Sequence, residues 1–103
     1  MKKVKTIRVL VKQPGKSIHV EYVRNTLEDF QNIVGGYIEA VTVASDLAVI
    51  CNEEGRINGM PYNCRVRGVP FYGPIAFVGV REDQFTGCPF INPDLWIEGG
   101  DDE

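Results

Sequence analysis

Ile7, Val9 and Val11 alternate with Arg8, Leu10 and Lys12, a period of two, broken in polarity only at Leu10, that marks a half-buried strand. Gln13-Pro14-Gly15-Lys16 then places proline and glycine where a tight turn wants fixed and permissive φ in succession. The alternation resumes at Ile18, Val20 and Tyr22, so the two runs predict a β-hairpin. From residue 27 the period changes. Leu27, Phe30, Ile33 and Val34 recur at three- and four-residue spacing, which predicts a helix with one apolar face. Asn25 or Thr26 opens it, and Asn25 with Glu28 has the spacing of a capping box. Gly35 suits the left-handed residue that ends a helix, and Gly36 lets the chain turn directly into a strand.

Residues 37–43 and 47–51 are β-branched, aromatic or apolar, and Ala44-Ser45-Asp46 is short enough to join them as a second hairpin. Leu47-Ala48-Val49-Ile50-Cys51 carries no polar side chain until its end, which places it inside a sheet covered on both faces. Asn52-Glu53-Glu54-Gly55 predicts a turn in which Asn52 bonds its own backbone and Gly55 takes positive φ. Gly59-Met60-Pro61-Tyr62-Asn63 predicts another turn, followed by alternation over Cys64-Arg65-Val66-Arg67. Val69-Pro70-Phe71-Tyr72-Gly73-Pro74 carries two prolines and a glycine and predicts a loop, with Phe71 and Tyr72 either packed on the core or presented as an interface. Ile75 to Val80 predicts a short strand, where Gly79 implies a bulge or a close backbone approach. Asn92-Pro93-Asp94 predicts a last helical turn through Leu95-Trp96-Ile97, with Trp96 either docking that segment or joining an interface.

Together these elements predict an α+β fold, a mainly antiparallel sheet with one principal helix across a face. The alternative is a small, partly open β-barrel plugged by the helix. Residues 1–98 are expected to form one domain, and the acidic stretch 99–103 a disordered tail. With 103 residues, of which 44% are hydrophobic and 24% charged, the chain is long enough to bury a core without a metal or disulfide.

Charge and chemistry narrow the function more by exclusion than by indication. A formal net charge of −3 and scattered Lys and Arg argue against nucleic-acid binding. Three cysteines, Cys51, Cys64 and Cys88, form no C-x-x-C pair and have one histidine, His19, for company. That pattern predicts free thiols and no metal site. No cofactor is expected. No apolar run reaches the length of a membrane span or a signal peptide, so a cytosolic protein is expected. His19 falls on the polar phase of its strand with no catalytic partner evident.

Glu39 shares its strand phase with Tyr37, Val41 and Val43, which makes it the carboxylate of most interest. Adjacent Glu53 and Glu54 point different ways and make a poor acid/base pair. The residues from Leu27 to Val41, with Asn52-Glu53-Glu54-Gly55, Gly59 to Asn63 and Gly73-Pro74-Ile75-Ala76-Phe77-Val78-Gly79, resemble a family of small proteins of unknown function. That family occurs in Gram-positive bacteria, their bacteriophages and their mobile elements. The resemblance implies a mobile-element setting and a cytosolic location, and it carries no catalytic residue over.

Three functions follow in order. The first is a binding module acting on a host or element-encoded protein, with self-association as a homodimer among its arrangements. The second is sequestration of a nucleotide or similar small molecule near Gly35, Gly36, Tyr37, Glu39, Asn52, Glu53 and Asn63. The last is an enzyme with Glu39 or Glu53 as general base.

Overall fold

The computed structural model describes residues 5–89 and 97–98. Chain order is β1 (Thr6–Lys12), β2 (His19–Arg24), α1 (Leu27–Val34), β3 (Ile38–Ala44), β4 (Leu47–Asn52), β5 (Tyr62–Val66), β6 (Val69–Tyr72), β7 (Ile75–Arg81), β8 (Gln84–Thr86) and β9 (Ile97–Glu98). Six strands form the larger sheet in the order β2-β1-β7-β4-β3, with β8 paired to the second half of β7. A smaller sheet runs β6-β5-β9. Every pairing is antiparallel.

The larger sheet is the middle of three layers. One face buries Ile7, Val9, Val11, Ala48, Ile50, Ala76 and Val78 beneath Phe30 and Val34 of the helix. The opposite face buries Leu10, Val49, Ile75 and Phe77 beneath Cys64, Val66 and Phe71, which brings the smaller sheet over it. Two covered faces explain why all six residues of β4 are buried and why β7 is apolar on both phases. The fold is therefore α+β, and the described strands close no barrel.

The helix starts one residue later than the capping-box spacing suggested. Thr26 is the N-cap, its Oγ1 accepting from the Asp29 N–H at 3.2 Å. The Asp29 carboxylate in turn accepts from the Arg24 backbone N–H at 2.8 Å and pairs with the Arg24 guanidinium at 2.7 Å. Hydrogen bonds from Arg24 hold that carboxyl below its ordinary range. Asn25 instead donates to the Phe85 carbonyl at 2.8 Å, tying the helix entry to β8. Leu27 is exposed, because the first helical turn overhangs the sheet and only Phe30 and Val34 are fully buried. Gly35 ends the helix at φ 80°, as its place in the pattern requires.

Two further expectations change. Val69 to Tyr72 is strand β6 rather than a loop. It lies at the edge of the smaller sheet, where a proline without an N–H is tolerated. The strand expected over Ile75 to Val80 is present as Ile75–Arg81, seven residues long, and it is the centre of the larger sheet. Its second half is placed by close packing, since a Cβ on Gly79 would collide with the Gly87 carbonyl, the close backbone approach its sequence implied. Finally, Ile97 pairs with Val66 in β9 and is not helical; residues 90–96, with Trp96, and the acidic stretch 99–103 lie outside the described residues.

Candidate functional site

Most of the residues singled out by sequence meet at one end of the molecule, where α1 stops, β3 and β5 begin, and β4 and β6 finish. Their roles there divide into a buried framework and an exposed rim.

The framework is built on two buried asparagines. Asn52 ends β4, and its Nδ2 donates to the Val34 carbonyl at 3.1 Å, satisfying the end of the helix. Its Oδ1 accepts from the Glu54 N–H at 2.7 Å, the local turn expected of Asn at this position. Gly36 is glycine because a Cβ there would stand 2.8 Å from Asn52 Nδ2. Glu53 N–H donates to the Tyr37 carbonyl at 2.8 Å, closing the same corner through the backbone. Gly55 owes its identity to proximity and not to positive φ: its Cβ would meet the Tyr72 carbonyl at 2.8 Å.

Asn63 performs the parallel task on the smaller sheet. Its Nδ2 donates to the carbonyls of Gly73 at 2.8 Å and Lys12 at 2.9 Å, and its Oδ1 accepts from Lys12 Nζ at 3.0 Å. Lys12 is only 1% exposed, so this amide meets a lysine Nζ within the interior. Asn63 thus faces Lys12 and Asn52 faces the helix end. The two share no site.

The rim carries what remains accessible. Tyr37 is 71% exposed, Ile57 84% and Tyr62 49%. Tyr62 stacks edge-on with Tyr72 at 5.5 Å, and the Arg56 guanidinium carbon lies 5.8 Å from the Tyr72 ring centroid. Phe71, offered by sequence as an interface residue, is 2% exposed and belongs to the core; Tyr72 is half-buried.

A cleft of about 170 Å³ opens between β3 and β6, lined by Glu39, Val41, Cys51, Asn52, Glu53, Arg56 and residues 69–72. It brings Glu39, Asn52, Glu53, Phe71 and Tyr72 together and leaves out Gly35, Gly36, Tyr37 and Asn63. Glu39 and Glu53 are both exposed, which makes Glu39 an edge carboxylate and not a buried one. Burial, and secondarily the charge of Glu39, push the Cys51 thiol up to about 11, so it is a poor nucleophile at neutral pH. A second, open groove of about 380 Å³ runs beside Gln31, Asn32, Gly35, Gly36 and Tyr37 at the helix C-terminus.

Elsewhere, His19 is exposed and bonds Glu21 at 2.6 Å across its own strand. All three cysteines are buried and none is in a disulfide. Among the described residues no group of three His, Cys, Asp or Glu could hold a metal ion, and no helix is long and apolar enough to cross a membrane. The sequence pattern places Tyr62 in a turn and assigns Ile57 no role. The signal for them was a large apolar or aromatic side chain placed in a segment too polar and glycine-rich to bury it.

A family model described as Domain of unknown function (DUF3846) matches residues 7–93. Neither curated proteins nor solved structures yield a match.

Proposed function

The chain belongs to the family described as Domain of unknown function (DUF3846), and for this member of it we propose a non-enzymatic module that binds another protein through the rim of Tyr37, Ile57 and Tyr62. The observation that carries the reading is the exposure of three large hydrophobic side chains on turns and strand ends locked from beneath by Asn52 and Asn63. Fixed turns bind with little ordering cost, and aromatic residues with arginine are enriched where interfaces concentrate their energy. Arg56 and Tyr72 supply the same chemistry beside the exposed residues. A phage or mobile-element setting, implied by the motif resemblance, makes a host or element-encoded protein the partner class and the cytosol its compartment.

The small-molecule reading has less behind it. A cleft of about 170 Å³ is smaller than the ~300 Å³ at which ligand pockets usually begin. The larger groove sits at a helix C-terminus, whose partial negative charge repels a phosphate, and no basic residue lines it.

The test is gentle purification from a bacterial host followed by native mass spectrometry, for the wild type and for Tyr37→Ser/Ile57→Ser. The wild type should retain a protein mass that the variant loses while its melting temperature stays unchanged. A nucleotide panel on the same samples gives the contrary outcome. A stabilisation approaching ~2.7 kcal/mol at 100 times Kd, equal in both proteins, would overturn the reading in favour of a ligand.

A further inference from the structure

The larger sheet ends on β2 and on β3, and the two edges are finished differently. β2 carries Glu21 and Arg24 beside the exposed Val20 and Tyr22, with Arg24 tied to Asp29, and charges of this kind keep an edge from pairing with another chain. β3 is seven residues long with one charge, Glu39, and among the described residues it pairs only with β4. Its register is regular from Ile38 to Thr42 and shifts only beyond. The cleft opens along this same strand. Val41, Cys51 and Phe71 give it an apolar interior, and the exposed Glu39 and Glu53 leave two carboxylates on its rim. Neither carboxylate is in an ion pair among the described residues.

We propose that the free edge of β3 takes an extended segment of the partner protein as an added strand, and that a Lys or Arg side chain of that segment fills the cleft between Glu39 and Glu53. The proposal rests on the protein-binding reading and names the chemistry of the partner. Strand addition supplies main-chain hydrogen bonds and leaves specificity to pockets for alternate side chains. A residue paired opposite Glu39 or Val41 would have its Cβ about 4.5–5.5 Å from theirs, at the cleft itself. A cleft of this size admits one side chain. A long basic one lays its aliphatic stem on Val41, Val69 and Phe71 and carries its charge to the rim. A leucine would leave both carboxylates unanswered, and a glutamate would meet two like charges. Arg56 also lines the cleft, with its guanidinium turned over Tyr72, so the two carboxylates leave the site with an excess of negative charge. The upward push of Glu39 on Cys51 is in keeping with that field.

The experiment pans a displayed library of random heptapeptides against the full chain and against Glu39→Lys/Glu53→Lys. Both substitutions fall on exposed side chains, and an unchanged melting temperature establishes that the variant is folded. The wild type should enrich peptides rich in β-branched residues with Lys or Arg at one fixed position. The leading peptide, made synthetically and followed by fluorescence anisotropy, should bind the variant at least tenfold more weakly and slow amide exchange in β3 on the wild type. No enrichment, enrichment without a basic position, equal affinity for the variant, or protection confined to other strands would each overturn the proposal. The two readings also separate. A partner protein retained by Glu39→Lys/Glu53→Lys but lost by Tyr37→Ser/Ile57→Ser overturns the β3 assignment and leaves the rim reading standing.

Discussion

The two faces of the larger sheet are covered in different ways. The helix face is sealed mainly by aliphatic and aromatic side chains: Phe30 and Val34 close over Val9, Val11, Ile50 and Val78, and Phe85 meets Phe30 edge-on at 5.6 Å. The opposite face is covered by a three-stranded sheet that contributes Asn63 and Cys64, closes over Lys12 of β1 and Cys51 of β4, and stops short of β3, leaving the cleft. A helix two turns long fits closely over a sheet through two buried residues. A second sheet must also satisfy its own backbone and loop ends, and it does so with buried amides. The first face is built for stability, and the second carries the cleft and its two carboxylates.

Substitutions on matched residues test that division. Phe30→Ala should cost about 3–5 kcal/mol in chemical denaturation, because it leaves a closed void beneath the helix. Phe71→Ala, on the cleft face, should cost less, about 2–3 kcal/mol, since the enlarged cleft opens to water. Equal costs would break the comparison. Asn63→Ala should follow at roughly 2–3 kcal/mol, as it strips three hydrogen bonds from buried partners, and the loss should show in the same denaturation curves.

The smallest effect concerns pH. With its thiol raised from 9.0 to about 11 in the folded chain, Cys51 binds its proton more tightly folded than unfolded. Its contribution to stability is therefore complete below pH 9 and lost as pH rises toward 11. Alkylation of Cys51 near pH 8 should run roughly 100-fold slower than for the unfolded chain on ionisation alone. Glu39→Gln should speed it only in part, because burial is the larger cause.

Much of this architecture was legible in the chain. The Pro14-Gly15 turn, the 3.6-residue period of α1, the Gly35 cap and the apolar run of β4 each have a local physical cause, so a local pattern reports them. The second sheet did not announce itself. Pro70 and Gly73 read as loop-forming, and only the position of β6 at an edge makes Pro70 acceptable as strand. The candidate site was half visible. Asn52, Asn63, Gly36 and Gly55 were recognisable as special, but their work is to hold backbone in place, and no spacing distinguishes an asparagine that bonds a helix end from one that bonds a ligand. Ile57 and Tyr62 escaped notice because exposure is a tertiary property.

The central position of β7 has a consequence for how the chain must assemble. Its first half pairs with β1 and residues 76–79 with β4, so β7 joins segments that lie some 65 and 30 positions earlier. Until β7 emerges from the ribosome, the first hairpin and the β3–β4 hairpin have no common partner strand among the described residues. Such non-local closure slows folding. Everything before residue 75 is thus a set of waiting pieces, and the sheet is completed by one late insertion.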